Sequence, residues 1–311
     1  MNLVIDVSPA EWAFFAISVL GLLAVDLVYF NRKAHEIGLR EAIIWSIVWT
    51  VVALWFNLVV FVVHGSEAGA LFFSAYLVER ALSVDNLFVF LTIFVFFKID
   101  ARYQHRVLFF GVLGALVARA LFIVGGTALL HAFDWIMYIF GAVLLYTAWK
   151  IGRQSGEPVD LEHSRFVRFA TGHLHVTPVL QGDRFIARLG GRWVATPLLL
   201  VLVVVEFMDV LFAFDSVPAV LGISSSTFIV YTSNAFAVLG LRALYFVVAA
   251  GMARLRFLNV GLAAILLFIG AKMMVHHWVA IPTHISLAVI GVILAVAIVA
   301  SLYGRNDADR A

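Results

Sequence analysis

Five carboxylates stand in two apolar stretches where charge is costly. Glu79 and Asp85 lie within ERALSVDNLF, and Glu206, Asp209 and Asp215 within EFMDVLFAFDSVP. An ionisable side chain in hydrocarbon costs roughly 2.5–3.5 kcal/mol on insertion scales, so each acid needs a cation, a polar partner or water. The Asn86 amide and the Ser216 hydroxyl directly follow Asp85 and Asp215 and add further oxygens. Carboxylate, amide and hydroxyl oxygens are hard ligands, suited to Mn2+, Ca2+ or Mg2+ rather than Cu(I). Arg119 and Arg242 also lie in apolar stretches and are the expected charge-balancing partners. Two arginines do not match five acids, although Arg80 and Lys272 reduce the excess. The plain structural alternative is a set of buried Arg–carboxylate pairs that lock a helix bundle.

The spacing sharpens the expectation. Glu79 precedes Asp85 by six residues, and Asp209 precedes Asp215 by six. On a straight helix that offset puts the two acids about 120° apart, so they would not share a face. A break near the aspartate would let both reach one cavity. Pro218 supplies a cause, because it frees the Phe214 carbonyl and disfavours helical geometry at Val217. Broken backbone of this kind is tolerated in a membrane only inside protein or along a cavity. Asp85 and Asp215 are therefore the expected direct cation ligands, with Glu79 and Asp209 as further ligands or proton carriers. Asp26 lies near the end of its apolar stretch and reads as interfacial.

Helices in a membrane must position these groups. The chain has 311 residues, 64% of them hydrophobic and 13% charged. That charged share is about half that of an ordinary soluble domain. Soluble enzymes, disulfide scaffolds and disordered chains are excluded. Nine stretches, at 12–30, 42–63, 68–97, 107–130, 135–151, 196–221, 228–250, 257–275 and 285–303, are expected to cross about 30 Å of hydrocarbon. They are continuous rather than alternating, which favours helices over a barrel. Of the 21 basic residues, 17 fall in alternate connections and the C-terminal tail, and the opposite connections hold none. This asymmetry predicts an all-α membrane protein with nine transmembrane helices, an external N-terminus and a cytoplasmic C-terminus. The chain has no cysteine, which removes thiolate sites, and its net charge of +2 makes no case for nucleic acid. The connection 152–194 is expected to be a cytoplasmic loop with a hairpin at Gly190-Gly191, and His173 and His175 read as solvated loop residues.

Two blocks repeat. VLGALVARALFIVGG (112–126) aligns, with a gap, on VLGLRALYFVVAAG (238–251), bringing Arg119 onto Arg242. GAVLLYTAWK (141–150) matches AAILLFIGAK (263–272). Spans 3–5 (68–151) thus repeat as spans 6–8 (196–275), leaving 285–303 as a final span. Three spans per block would insert the second copy upside down, a plan used by secondary transporters. Glu206 aligns with Tyr76 and has no acidic counterpart, so it adds negative charge or a proton site.

ERALSVDNLFVF and TPLLLVLVVVEFMDVLFAFDSVPAV resemble the signature segments of the TerC family of bacterial integral membrane proteins, as does VDLVYFNRKAH. That family includes the Alx proteins and groups with LysE-type transporters. The resemblance spans roughly residues 12–303. It implies a multi-pass protein of the bacterial cytoplasmic membrane that exports a divalent metal ion, with manganese as the expected substrate and a historical tellurium-resistance label. It carries the family's acidic positions onto Glu79, Asp85, Glu206, Asp209 and Asp215. The metal is cargo rather than a bound cofactor, protons are the candidate driving ion, lipid surrounds the chain, and no enzyme activity is expected. Two other classes remain. A non-transporting scaffold of a tellurium or stress-response assembly would dock through the 152–194 loop. An intramembrane aspartyl enzyme would want a GxGD motif, which is absent.

Overall fold

The computed structural model describes residues 7–30, 38–133, 135–153, 182–189, 192–251, 257–276, 278–279 and 281–303. His173, His175 and the Gly190-Gly191 turn lie outside the described residues, as does the side chain of Asp85. Ten described helices follow in order: α1 (Pro9–Phe30), α2 (Leu39–His64), α3 (Ser66–Phe96), α4 (Ala101–Ala132), α5 (Ile136–Arg153), α6 (Pro197–Leu221), α7 (Thr227–Leu239), α8 (Leu241–Gly251), α9 (Leu258–Val275) and α10 (Thr283–Tyr303). Between α5 and α6 lies a two-stranded antiparallel hairpin, β1 (Ile186–Leu189) and β2 (Arg192–Ala195), with Ile186 opposite Ala195. It forms where two short runs flank the glycine pair.

The apolar runs become helices because hydrocarbon offers the backbone no other hydrogen-bond partner. Five helices are long and apolar enough to cross a membrane: α1, α2, α4, α6 and α10. A sixth span results if α7 and α8 are taken together. The helix α3 has 31 residues but carries Glu79, Arg80 and Asp85 in its middle, and α5 and α9 have 18 residues each. Ile17, Leu20, Val62, Leu121 and Val292 stand exposed on the outer faces. An apolar exterior of this extent fits lipid and not water. The helix α7 is the opposite case, with nearly every residue from Phe228 to Leu239 buried.

Packing follows a paired scheme. The helix α5 packs on α9, α3 on α6, and α4 on α7 and α8. The contact of α4 with α6 is matched by that of α3 with α7, and α5 with α6 by α3 with α9. Two glycines allow the α5–α9 approach. A Cβ on Gly141 would lie 3.1 Å from the Gly270 carbonyl oxygen, and one on Gly270 would lie 3.0 Å from that of Gly141.

The expected break at Pro218 does not occur. The helix α6 runs unbroken to Leu221. Val217, Ala219, Val220 and Leu221 are all buried, and the Gly222 N–H closes the last turn on the Pro218 carbonyl at 2.9 Å. Tertiary packing of that turn outweighs one missing N–H so close to the helix end. The break lies instead at Gly240, where α7 and α8 bend by 48°. The Arg80 guanidinium fills the bend. Its Nη1 donates to the Ala237 carbonyl at 3.3 Å, and its Nε donates to the Tyr76 hydroxyl at 3.1 Å. A Cβ at Gly240 would come within 2.6 Å of the Arg80 Nη2.

Candidate functional site

Four buried polar side chains meet at the centre of the bundle. Arg119 of α4 is the largest fully buried side chain. Its Nη1 donates to the Glu79 carboxylate of α3. Its Nε and Nη2 donate to the two Asp209 oxygens of α6, each at 3.3 Å, in the two-pronged geometry a guanidinium favours with a carboxylate. Asn234 of α7 closes the ring. It donates to the second Glu79 oxygen at 2.9 Å and accepts from Arg119 Nη1 at 3.2 Å. Glu79 and Asp209 stand 130 residues apart, so one guanidinium joins the two acid-bearing helices α3 and α6. The ring accounts for the burial of three charges, because each has opposite charge and hydrogen bonds around it.

Glu206 stands one turn before Asp209 on α6, within side-chain reach of it. It is half-buried, and among the described residues it has no hydrogen-bond or ion-pair partner. Its carboxyl group lies directly against Gly114 of α4, in space that any Cβ there would occupy. Asp215 takes a different direction. Because α6 stays helical, the six-residue offset turns it away from Arg119, and it accepts a hydrogen bond from the Thr147 hydroxyl of α5 at 2.8 Å. The expected convergence of Asp209 and Asp215 on one face is therefore corrected: they serve different neighbours. Asp85 lies in α3, which is continuous through it.

Asn86 and Ser216 stand 130 residues apart, the same offset that relates Glu79 to Asp209. Both are buried. Among the described residues, the Asn86 amide nitrogen and the Ser216 hydroxyl have no hydrogen-bond partner, and the same holds for the Ser83 hydroxyl one turn before Asn86. Buried polar atoms left without partners are uncommon and call for an explanation.

Arg242 does not join the ring. It pairs with Asp26 of α1, and both are buried. Asp26 is thus a partner inside the bundle rather than an interfacial residue. Sequence reading missed Asn234, Thr147 and the role of Arg80. The polar triplet Thr232-Ser233-Asn234 inside an apolar run was the available signal for the first. Among the described residues, no three His, Asp or Glu side chains stand close enough together to hold a metal ion as they are.

The profile of the integral membrane protein TerC family matches residues 64–309. An uncharacterized membrane protein of Myxococcus xanthus is 44% identical over 301 residues, covering 97% of this chain and 94% of the relative. One of Rickettsia felis is 39% identical, covering 96% of this chain and 99% of the relative. A protein of Escherichia coli K12 named putative membrane-bound redox modulator Alx is 41% identical over 315 residues, covering 97% and 98% of the two chains. No solved structure matches. An acid-bearing, multi-pass helical bundle and a family match over most of its length agree: the chain belongs to the TerC family of integral membrane proteins.

Proposed function

We propose that this chain exports a divalent cation, with manganese as the expected substrate, across the bacterial cytoplasmic membrane. One observation carries the reading. Two carboxylates, Glu79 and Asp209, share a single guanidinium, Arg119, and a third, Glu206, stands one turn before Asp209 on the same helix. Fully ionised, that group is two positive charges short. One divalent cation or two protons would fill the deficit, so exchange of one for the other would be electroneutral. Arg119 holds the oxygens a cation would take, so cation binding and the Arg119 pairing compete. The Ser83 and Ser216 hydroxyl oxygens, buried without a hydrogen-bond partner among the described residues, are hard-ligand candidates on the two helices that carry the acids, as is the amide oxygen of Asn86. Asp215 and Asp85 are the further carboxylates of those helices.

The matched packing of α3–α5 and α6–α9 supports an inverted repeat, with α7 and α8 as one broken span. Counting α3, α5 and α9 as crossings then restores nine spans, and the basic residues orient them with the N-terminus outside. With no cysteine in the chain, the redox label of the Alx relatives would reach this protein through the cation it moves rather than through a thiol.

The test is metal movement by the purified chain in liposomes that trap a metal-sensitive dye. Mn2+ should cross, with opposite proton flow and no dependence on an imposed potential. Glu79→Gln and Asp209→Asn should abolish it. Folded protein that moves no divalent cation would favour the scaffold reading, and a potential-dependent rate would refute the charge accounting.

A further inference from the structure

A second polar feature lies away from the Arg119 ring. A cavity of about 590 Å3 opens where α6 and α9 end and α3 and α10 begin. Much of its wall is apolar, with Leu71, Met137 and Met273 among the lining side chains. Two opposite charges also line it: Glu67 in the first turn of α3 and Lys272 in the last turn of α9. Neither forms an ion pair or hydrogen bond with a described residue, and they do not pair with each other. Lys272 is half-buried. An acid at a helix start and a base at a helix end each complement the helix dipole. That accounts for their signs; Glu67 is exposed and can be hydrated, whereas the half-buried Lys272 ammonium lines the cavity without a partner among the described residues.

We infer that this cavity binds a zwitterion whose phosphate meets Lys272 and whose ammonium meets Glu67, the chemistry of a phosphoethanolamine group. Lys272 then gains the partner it lacks and Glu67 exchanges water for a cation, and a diester headgroup adds no net charge. The volume is that of a site for a small organic molecule. A mostly apolar wall suits a ligand with a hydrocarbon part. The cavity sits at helix ends, the level at which lipid headgroups lie against a multi-pass protein. Trp278, 75% exposed in the connection between α9 and α10, has the placement of an interfacial anchor. The group has two sources, the headgroup of phosphatidylethanolamine or free phosphoethanolamine.

The experiment uses the full chain, folded by size-exclusion criteria, in nanodiscs containing phosphatidylethanolamine or phosphatidylglycerol. Native mass spectrometry counts the lipid retained on release. Wild type should retain phosphatidylethanolamine selectively, and Lys272→Gln and Glu67→Gln should each weaken retention about tenfold, the scale of one charge-assisted hydrogen bond. Lys272→Arg should retain the lipid, which separates lost charge from lost folding. Free phosphoethanolamine is added to lipid-free protein in detergent: a raised thermal midpoint assigns the soluble source, and no change beside retained lipid assigns the headgroup. Retention unaffected by Glu67→Gln would overturn the zwitterion in favour of a plain anion. Equal retention in all variants, or none in wild type, would overturn the site. Metal movement is not the readout, so the result stands apart from the export reading.

Discussion

Replacing Arg119 with Gln tests the central ring most directly. The substitution keeps a polar side chain but removes the charge that Glu79 and Asp209 share. Both carboxylates are buried, with 0% and 3% relative exposure, so neither has water to turn to. Removing one partner of a buried ion pair costs roughly 3–5 kcal/mol, because the uncompensated charge remains behind. Asn234 still donates to Glu79, which places the expected loss toward the lower end, about 3 kcal/mol. The thermal midpoint of purified protein in detergent, followed by tryptophan fluorescence in chelator, should fall accordingly. Adding Glu79→Gln to Arg119→Gln should recover part of the loss, since one buried charge is removed with its partner. Mn2+ should also restore the single variant. A ligand at about a hundred times its Kd stabilises by roughly 2.7 kcal/mol, close to the deficit. K+ at the same ionic strength should do little. An Arg119→Gln protein as stable as wild type would refute the ion-pair accounting. A destabilised variant that Mn2+ and K+ affect equally would refute the view that Arg119 and a divalent cation compete for the same oxygens.

Gly114→Ala should destabilise the protein by about 1–3 kcal/mol as an overpacked contact, and Glu206→Ala in the same chain should remove most of that cost, as thermal midpoints of the four-member cycle would show. Gly240→Ala should likewise lower the midpoint by driving a methyl group into Arg80, with little added loss when Arg80 is already Ala. Because the chain has no native cysteine, Ser225→Cys and Arg188→Cys can be labelled singly in intact cells. A membrane-impermeant thiol reagent should reach Ser225→Cys alone, and labelling of both from outside would break the nine-span orientation.

The positions of the charges were legible in the sequence because the cost of a carboxylate in hydrocarbon is a property of the stretch that carries it. Glu79, Asp209 and Arg119 stand out against apolar neighbours whatever the fold. The partners were not legible in the same way. Which acid meets which guanidinium depends on how far each helix is rotated and where it bends. Pro218 announced a bend in α6 that burial of the last turn suppresses, while Gly240 bends α7 from α8 with no proline to announce it. A bend at Pro218 would join Asp215 to Asp209, but the helix is unbroken and Asp215 meets Thr147 instead.

Under the proposed inverted repeat, the different fates of Arg119 and Arg242 follow from the symmetry. If Glu79 and Asp209 are one repeat position seen twice, a guanidinium between them lies close to the axis that relates the copies. A group on such an axis cannot have a symmetric double. A second arginine in the same place would set two guanidiniums side by side in a dry interior, where like charges repel most strongly. One copy must therefore turn away, and it needs a carboxylate from outside the repeated helices. Asp26 on α1 meets that need, and the bend at Gly240 separates Arg242, on α8, from Asn234, which takes its place in the ring from α7. On that proposal, the departure from symmetry at the arginines is a consequence of placing a single charge at a two-fold site, and it leaves Glu79 and Asp209 facing one another across Arg119.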